Sequence, residues 1–201
     1  MNKIPGYNES PAYTGESQAL PAGKYICEIK GAKVVKNTSS GTEQLVLQLD
    51  IAEGDYKNYY SDAYAADLVK NGSKAKWRNG GLFRQGWEGK SLPYFHGLMT
   101  CIEKSNNGFY WGKDPKGSGA ENWDEKTLKG KKIGVLFGRE QFRASDGSVK
   151  FATKAVAVRS IEGLEKSEIP KDKLLNGSSA SSGFDTSGYS DFDADEDDLP
   201  F

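Results

Sequence analysis

A chain of 201 residues with 36% hydrophobic and 27% charged side chains fits one domain plus a tail, and no stretch approaches the ~18 apolar residues of a membrane span. Two distant cysteines, Cys27 and Cys101, and one histidine, His96, give no paired metal-ligand spacing; this argues against a zinc site and for reduced, buried thiols. The net charge of -1 hides an asymmetry: the seven acids from Asp185 onward leave 21 acids against 27 bases, a body of +6 and a tail of -7.

Residues 1–21 mix Pro5, Gly6, Pro11, Gly15 and Pro21 with polar side chains and read as an irregular arm carrying Tyr7 and Tyr13. The opening Met1 to Gly6 has no apolar signal core, which points to a cytoplasmic protein. From Gly23 the pattern has period two. Tyr25, Cys27, Ile29 and Gly31 alternate with Lys24, Ile26, Glu28 and Lys30, and Val34 and Val35 extend the run. A turn cluster at 37–41 leads into a second alternating strand from Gln44 to Ile51, with Leu45, Leu47, Leu49 and Ile51 on one side. After Gly54 and Asp55, the residues Tyr56, Tyr59 and Tyr60 open a third predicted strand. Asp62 to Lys70 has the spacing of a short helix.

A better helix is predicted from Leu92 to Lys104. Pro93 suits its first turn, and Phe95, Leu98, Met99 and Ile102 form one stripe. Residues 109–126 are irregular. Lys131 to Gly138 reads as a strand, 144–147 as a hairpin turn, and Lys150 to Ile161 as the last strand. Ser178 to Gly183 has the composition of a flexible linker.

Three strands, a helix and two strands follow the order of the OB-fold, a five-stranded barrel whose helix lies between strands three and four. An immunoglobulin-like sandwich needs more strands and no central helix. The expected architecture is therefore mainly β: an OB-fold-like five-stranded barrel over 22–165 with one helix and a long insertion at about 65–91, then a linker at 166–194 and a disordered acidic tip at 195–201. About 30 residues separate the third strand from the helix, so either the insertion is large or a strand is missing from the count.

A nucleic-acid strand bound without sequence preference needs cations for its phosphates and ring faces for its bases. The segment 70–94 offers both. Lys70, Lys74, Lys76, Arg78, Arg84 and Lys90 interleave with Trp77, Phe83, Trp87 and Tyr94, and Glu88 is its only acid. The alternative is that Trp77, Phe83 and Trp87 fold the insertion onto the barrel. Further predicted contacts are Tyr60, Tyr110 and Trp111, with Arg139, Phe142 and Arg143 beside the last hairpin. In OB-folds that loop flanks the ligand face. Phe109, Tyr110 and Trp111 are adjacent, so at least one of these rings packs inward.

The tail has no Lys or Arg after Lys173 and ends Asp195-Glu196-Asp197-Asp198-Leu199-Pro200-Phe201. Such a segment cannot fold alone, but it offers acids and an aromatic end to a basic-rimmed pocket. A solubilising acidic tail would not need the final Leu-Pro-Phe. This ending resembles the acidic tip of bacterial single-stranded DNA-binding proteins, a run of Asp followed by Ile/Leu-Pro-Phe. A second resemblance lies in the body. Leu20-Pro21-Ala22-Gly23-Lys24-Tyr25, the run Asn37 to Gly41, Leu45 to Gly54 and Leu128 to Val135 look like the frame of a family of phage early proteins. Together the resemblances imply a phage-type protein of the bacterial host cytoplasm. It would bind single-stranded DNA in replication, recombination or repair. They also imply that the tip, 195–201, recruits host or phage DNA-processing partners, and that a homo-oligomer would present several tips at once.

Other functions have weaker signals. No Walker-type loop is present, and His96 has no Ser or Cys at nucleophile spacing. The body acids are scattered among lysines rather than clustered as a two-metal nuclease requires. The expectation is a non-enzyme without cofactor or metal. Its rivals are an accessory protein that binds other replication proteins instead of DNA and, behind it, a nuclease.

Overall fold

The structure, a computed structural model, describes residues 19–37 and 40–175. Residues 1–18 of the predicted arm, the Ser/Gly-rich run at 178–183 and the acidic tip lie outside these residues. Seven strands and three α-helices are described: β1 (Gly23–Lys36), β2 (Glu43–Ile51), α1 (Tyr59–Asn71), β3 (Leu82–Gly86), α2 (Leu92–Ser105), β4 (Gly112–Lys113), β5 (Glu121–Asn122), β6 (Lys132–Arg143), β7 (Val149–Arg159) and α3 (Ile161–Leu164). Five of them form one antiparallel sheet in the order β3-β2-β1-β6-β7, and β4 and β5 form a separate ribbon. The protein is thus mainly β. Among the described residues, no helix is long and apolar enough to cross a membrane.

The core lies on one side of the sheet. Leu45, Leu47, Leu49 and Ile51 of β2 enter it, as the alternation predicts. In β1, Cys27 and Ile29 enter it, and then a bulge between Ile29 and Gly31 shifts the register. One extra residue reverses the side-chain parity, so Ala32 and Val34, not Gly31, stand opposite Leu47 and Leu45. Helix α2 closes the core with Leu98, Met99 and Ile102, all under 3% exposed.

The third strand is not where the tyrosines predict it. Asp50, fully buried, accepts hydrogen bonds from the backbone N–H groups of Tyr60 (2.9 Å) and Ser61 (3.2 Å). Its carboxylate caps the first turn of α1, and a left-handed turn at Asn58 (φ 63°) brings the chain there. The β-propensity of three tyrosines loses to that cap. The third strand is β3, inside the stretch read as insertion. Phe83 of β3 stands opposite Leu47, in the core.

The expected closed barrel is also not formed by backbone pairing. Among the described residues β3 and β7 share no ladder, so the sheet has an open seam. A short turn, Asn79–Gly81, bridges it by packing. A Cβ on Gly80 would sit 2.4 Å from the Thr153 carbonyl oxygen, so only glycine fits there. After α3, residues 165–175 return as a strap along β6. Lys173 donates to the Arg139 carbonyl (2.9 Å) and accepts from the Gln141 N–H (2.8 Å). The first part of the predicted linker is therefore a bound segment.

Candidate nucleic-acid interface

The open seam carries a cavity of about 210 Å³. Leu20, Tyr59, Arg78, Gly80, Phe151 and Thr153 are among its walls. The chain before β1 spans the gap. The Leu20 N–H donates to the Tyr59 hydroxyl (3.3 Å), and the Thr153 hydroxyl donates to the Leu20 carbonyl (2.5 Å). These bonds tie α1 to the edge of β7 and hold two walls in place.

Two arginines lie over two of the wall rings. Arg78 sits 5.9 Å from the centre of the Tyr59 ring, and Arg139 sits 4.9 Å from that of Phe151. The β6–β7 register sets the second pair. Arg139 stands opposite Thr153, Gln141 opposite Phe151, and Arg143 opposite Val149. Directly opposed residues share a face, so Arg139, Arg143 and Phe151 lie together on one side of the hairpin. Phe151 is 44% exposed, which leaves a ring face open to stacking. Asp172 of the strap takes the Arg139 guanidinium with two hydrogen bonds, one of 3.0 Å to Nε. These bonds and the charge of Asp172 raise the pKa of Arg139.

Several predicted contacts are elsewhere. Tyr60 borders the seam cavity, but it and Phe83 are core residues, 2% and 4% exposed, and cannot stack on a base without unfolding. Trp77 is half-buried and stacks on Tyr60 (6.4 Å between centroids), with its other neighbour Tyr64 at 5.6 Å. Trp87 and Trp111 are half-buried and enter a ladder of rings, Trp87–Phe95–Trp111–Trp123, with centroids 5.6 to 6.3 Å apart. For Trp77, Phe83 and Trp87 this packing is the one the alternative reading assigns to the insertion. Tyr110 is half-buried, and Tyr94 stands exposed on α2. Phe142 is exposed, but its register puts it on the opposite side of the hairpin from Phe151.

The cations divide likewise. Lys74 is exposed in the turn Gly72–Lys74, and the backbone of Lys76 donates to Asp67. Arg143 donates to the Gly147 carbonyl at the hairpin tip. Arg84 is half-buried on β3 opposite Val46, and burial lowers its pKa. Beyond its place in the ladder, no hydrogen bond or ion pair joins its side chain to another described residue. A desolvated guanidinium of this kind favours an anion. Outside the seam, Lys131 lies 5.1 Å over the Phe109 ring.

Sequence reasoning named the arginines of the seam but missed both of their rings. Tyr59 reads as one of three tyrosines opening a predicted strand. Phe151 looked like one of several alternating positions in the last strand. A usable signal did exist: Phe151 lies between Lys150 and Lys154 just past a hairpin turn, where strands run beyond the core.

Burial pushes the Cys27 and Cys101 thiols up, away from thiolate. Among the described residues, no group of His, Cys, Asp and Glu could hold a metal ion. No protein-family model matches the chain, and no curated protein matches it.

Proposed function

We propose that the body binds single-stranded DNA without strong sequence preference, at the seam and along the adjoining β6–β7 hairpin. One observation carries this reading: two arginine-on-ring pairs flank one cavity on a body of +6. The arginines take phosphates, and the open face of Phe151 takes a base. The strand order supports it. With α2 between β3 and β6, the order β3-β2-β1-β6-β7 matches an OB-fold whose closing seam, β3 to β7, is left unpaired. OB-folds bind oligonucleotides beside the loop joining their last two strands. Binding protects the strand during replication, recombination or repair and involves no chemistry. The acidic tip, 195–201, recruits DNA-processing partners; its charge repels phosphate, so it serves proteins rather than DNA.

Fluorescence anisotropy of a labelled oligo(dT) titrated with the full chain tests the reading. Log K is expected to fall with log salt at a slope of about -3 to -4, from ~0.7 per phosphate for four to six contacts. No binding at low salt overturns it. Metal-dependent degradation of the oligonucleotide would make the protein a nuclease.

A further inference from the structure

The strap takes over the edge of β6 where β1 stops. Pairing of β1 with β6 ends at Gly23 opposite Phe137. Beyond it Pro170 packs near Gly138, and Lys173 joins the backbone of Arg139 and Gln141. Asp172 then holds the Arg139 guanidinium through both carboxylate oxygens. This is the two-point grip an arginine uses on a phosphate. The same guanidinium lies over Phe151, the exposed ring of the seam.

The strap is weakly held. Ile169, Leu174 and Leu175 are 50%, 39% and 47% exposed, so it buries little apolar surface. The Arg139–Asp172 pair is itself open to water, with side chains 48% and 31% exposed. Exposed ion pairs contribute little, so an incoming anion exchanges with Asp172 at small cost. Segments with few buried contacts open locally before the fold does.

Building on the proposed single-stranded DNA reading, we propose that Asp172 is an internal substitute for a DNA phosphate. It keeps Arg139 extended over Phe151 in the empty protein. A phosphate of the bound strand replaces it and releases the strap from β6. Occupancy of the seam then frees residues 165–175 from the edge of β6.

The test is a cycle on the full chain with labelled oligo(dT) at low salt. Asp172→Asn keeps shape and solubility but weakens the grip. Its affinity is expected to rise about two- to fivefold over the parent. In an Arg139→Gln background the same change is expected to do nothing. No gain in the parent background, or an equal gain in both, overturns the proposal; the second result would mean a general charge effect. Hydrogen exchange gives an independent readout. The Lys173 amide, bonded to Arg139, is expected to lose protection when oligo(dT) is added, and retained protection would overturn strap release. Binding by the parent with no Asp172 effect leaves the DNA reading standing. Absence of binding in every variant removes both.

Discussion

Two regions of this protein are rich in aromatic rings, and they use them differently. At the seam, Phe151 and Tyr59 lie under arginines, and Tyr59 also meets the Tyr56 and Tyr60 rings edge to face. Beside α2, Trp87, Phe95, Trp111 and Trp123 face one another edge to face. Ring-on-ring contact spends the aromatic surface on packing, at ~0.5–1.5 kcal/mol per pair beyond burial. The arginine over Phe151 leaves that ring 44% exposed and carries a charge that an anion can take in exchange for Asp172. The count of aromatics in a basic segment therefore says little about binding; the kind of neighbour each ring has says more.

The comparison can be broken by removing one ring from each region. Trp111→Ala opens the middle of the ladder. It is expected to cost about 3 kcal/mol of stability in urea unfolding, by analogy with large-to-small core changes, and to leave oligo(dT) affinity of the folded protein unchanged. An affinity loss larger than threefold would put the ladder in the binding surface. Phe151→Ala is expected to do the reverse. It should weaken oligo(dT) binding by ~1–3 kcal/mol, the worth of one stacked base, and leave the urea midpoint nearly in place. Equal effects of both variants on affinity would erase the distinction.

A smaller effect separates core from surface by pH. Burial pushes the Cys27 thiol and the Tyr60 phenol above their ordinary values of 9.0 and 10.0. The unfolded chain ionises each at its ordinary value, and the folded chain does not. Above pH 9 the unfolded state binds fewer protons, so stability falls as pH rises, by at most ~1.4 kcal/mol per pH unit per group. Cys27→Ala is expected to lose less stability than the parent between pH 9 and pH 10. A parallel decline in both, measured as urea midpoints, would remove Cys27 as the cause.

Periodicity made much of the fold legible. The leucines of β2 lie where alternation places them, and α2 extends one residue beyond its predicted end. Both elements bury one clear side, and one clear side is what a sequence displays. Where a contact made far away in the chain decides, the reading fails. Asp50 draws Tyr60 into a helix across ten residues, and nothing near Tyr60 announces it. The strand β3 is five residues long and stands among glycines, so it carries too little pattern to register. The site was half legible for the same reason. Charge is visible in a sequence, so Arg78, Arg139 and Arg143 could be named. Burial of Tyr60 and Phe83, and the pairing that sets Phe151 beside Arg139, depend on register and on the bulges that shift it.

The indole N–H groups of Trp77 and Trp111 are buried and meet no hydrogen-bond partner among the described residues. Trp123 is 62% exposed and donates to Glu121. The chain thus carries two kinds of chromophore, in dry and in wet surroundings, whose emission separates by wavelength. Trp77 rests on Tyr60, and Tyr60 lines the seam cavity. Of the dry indoles, Trp77 is one ring removed from the proposed ligand, so occupancy should be readable as a change in the blue part of the spectrum of unlabelled protein, with the red part serving as the internal reference.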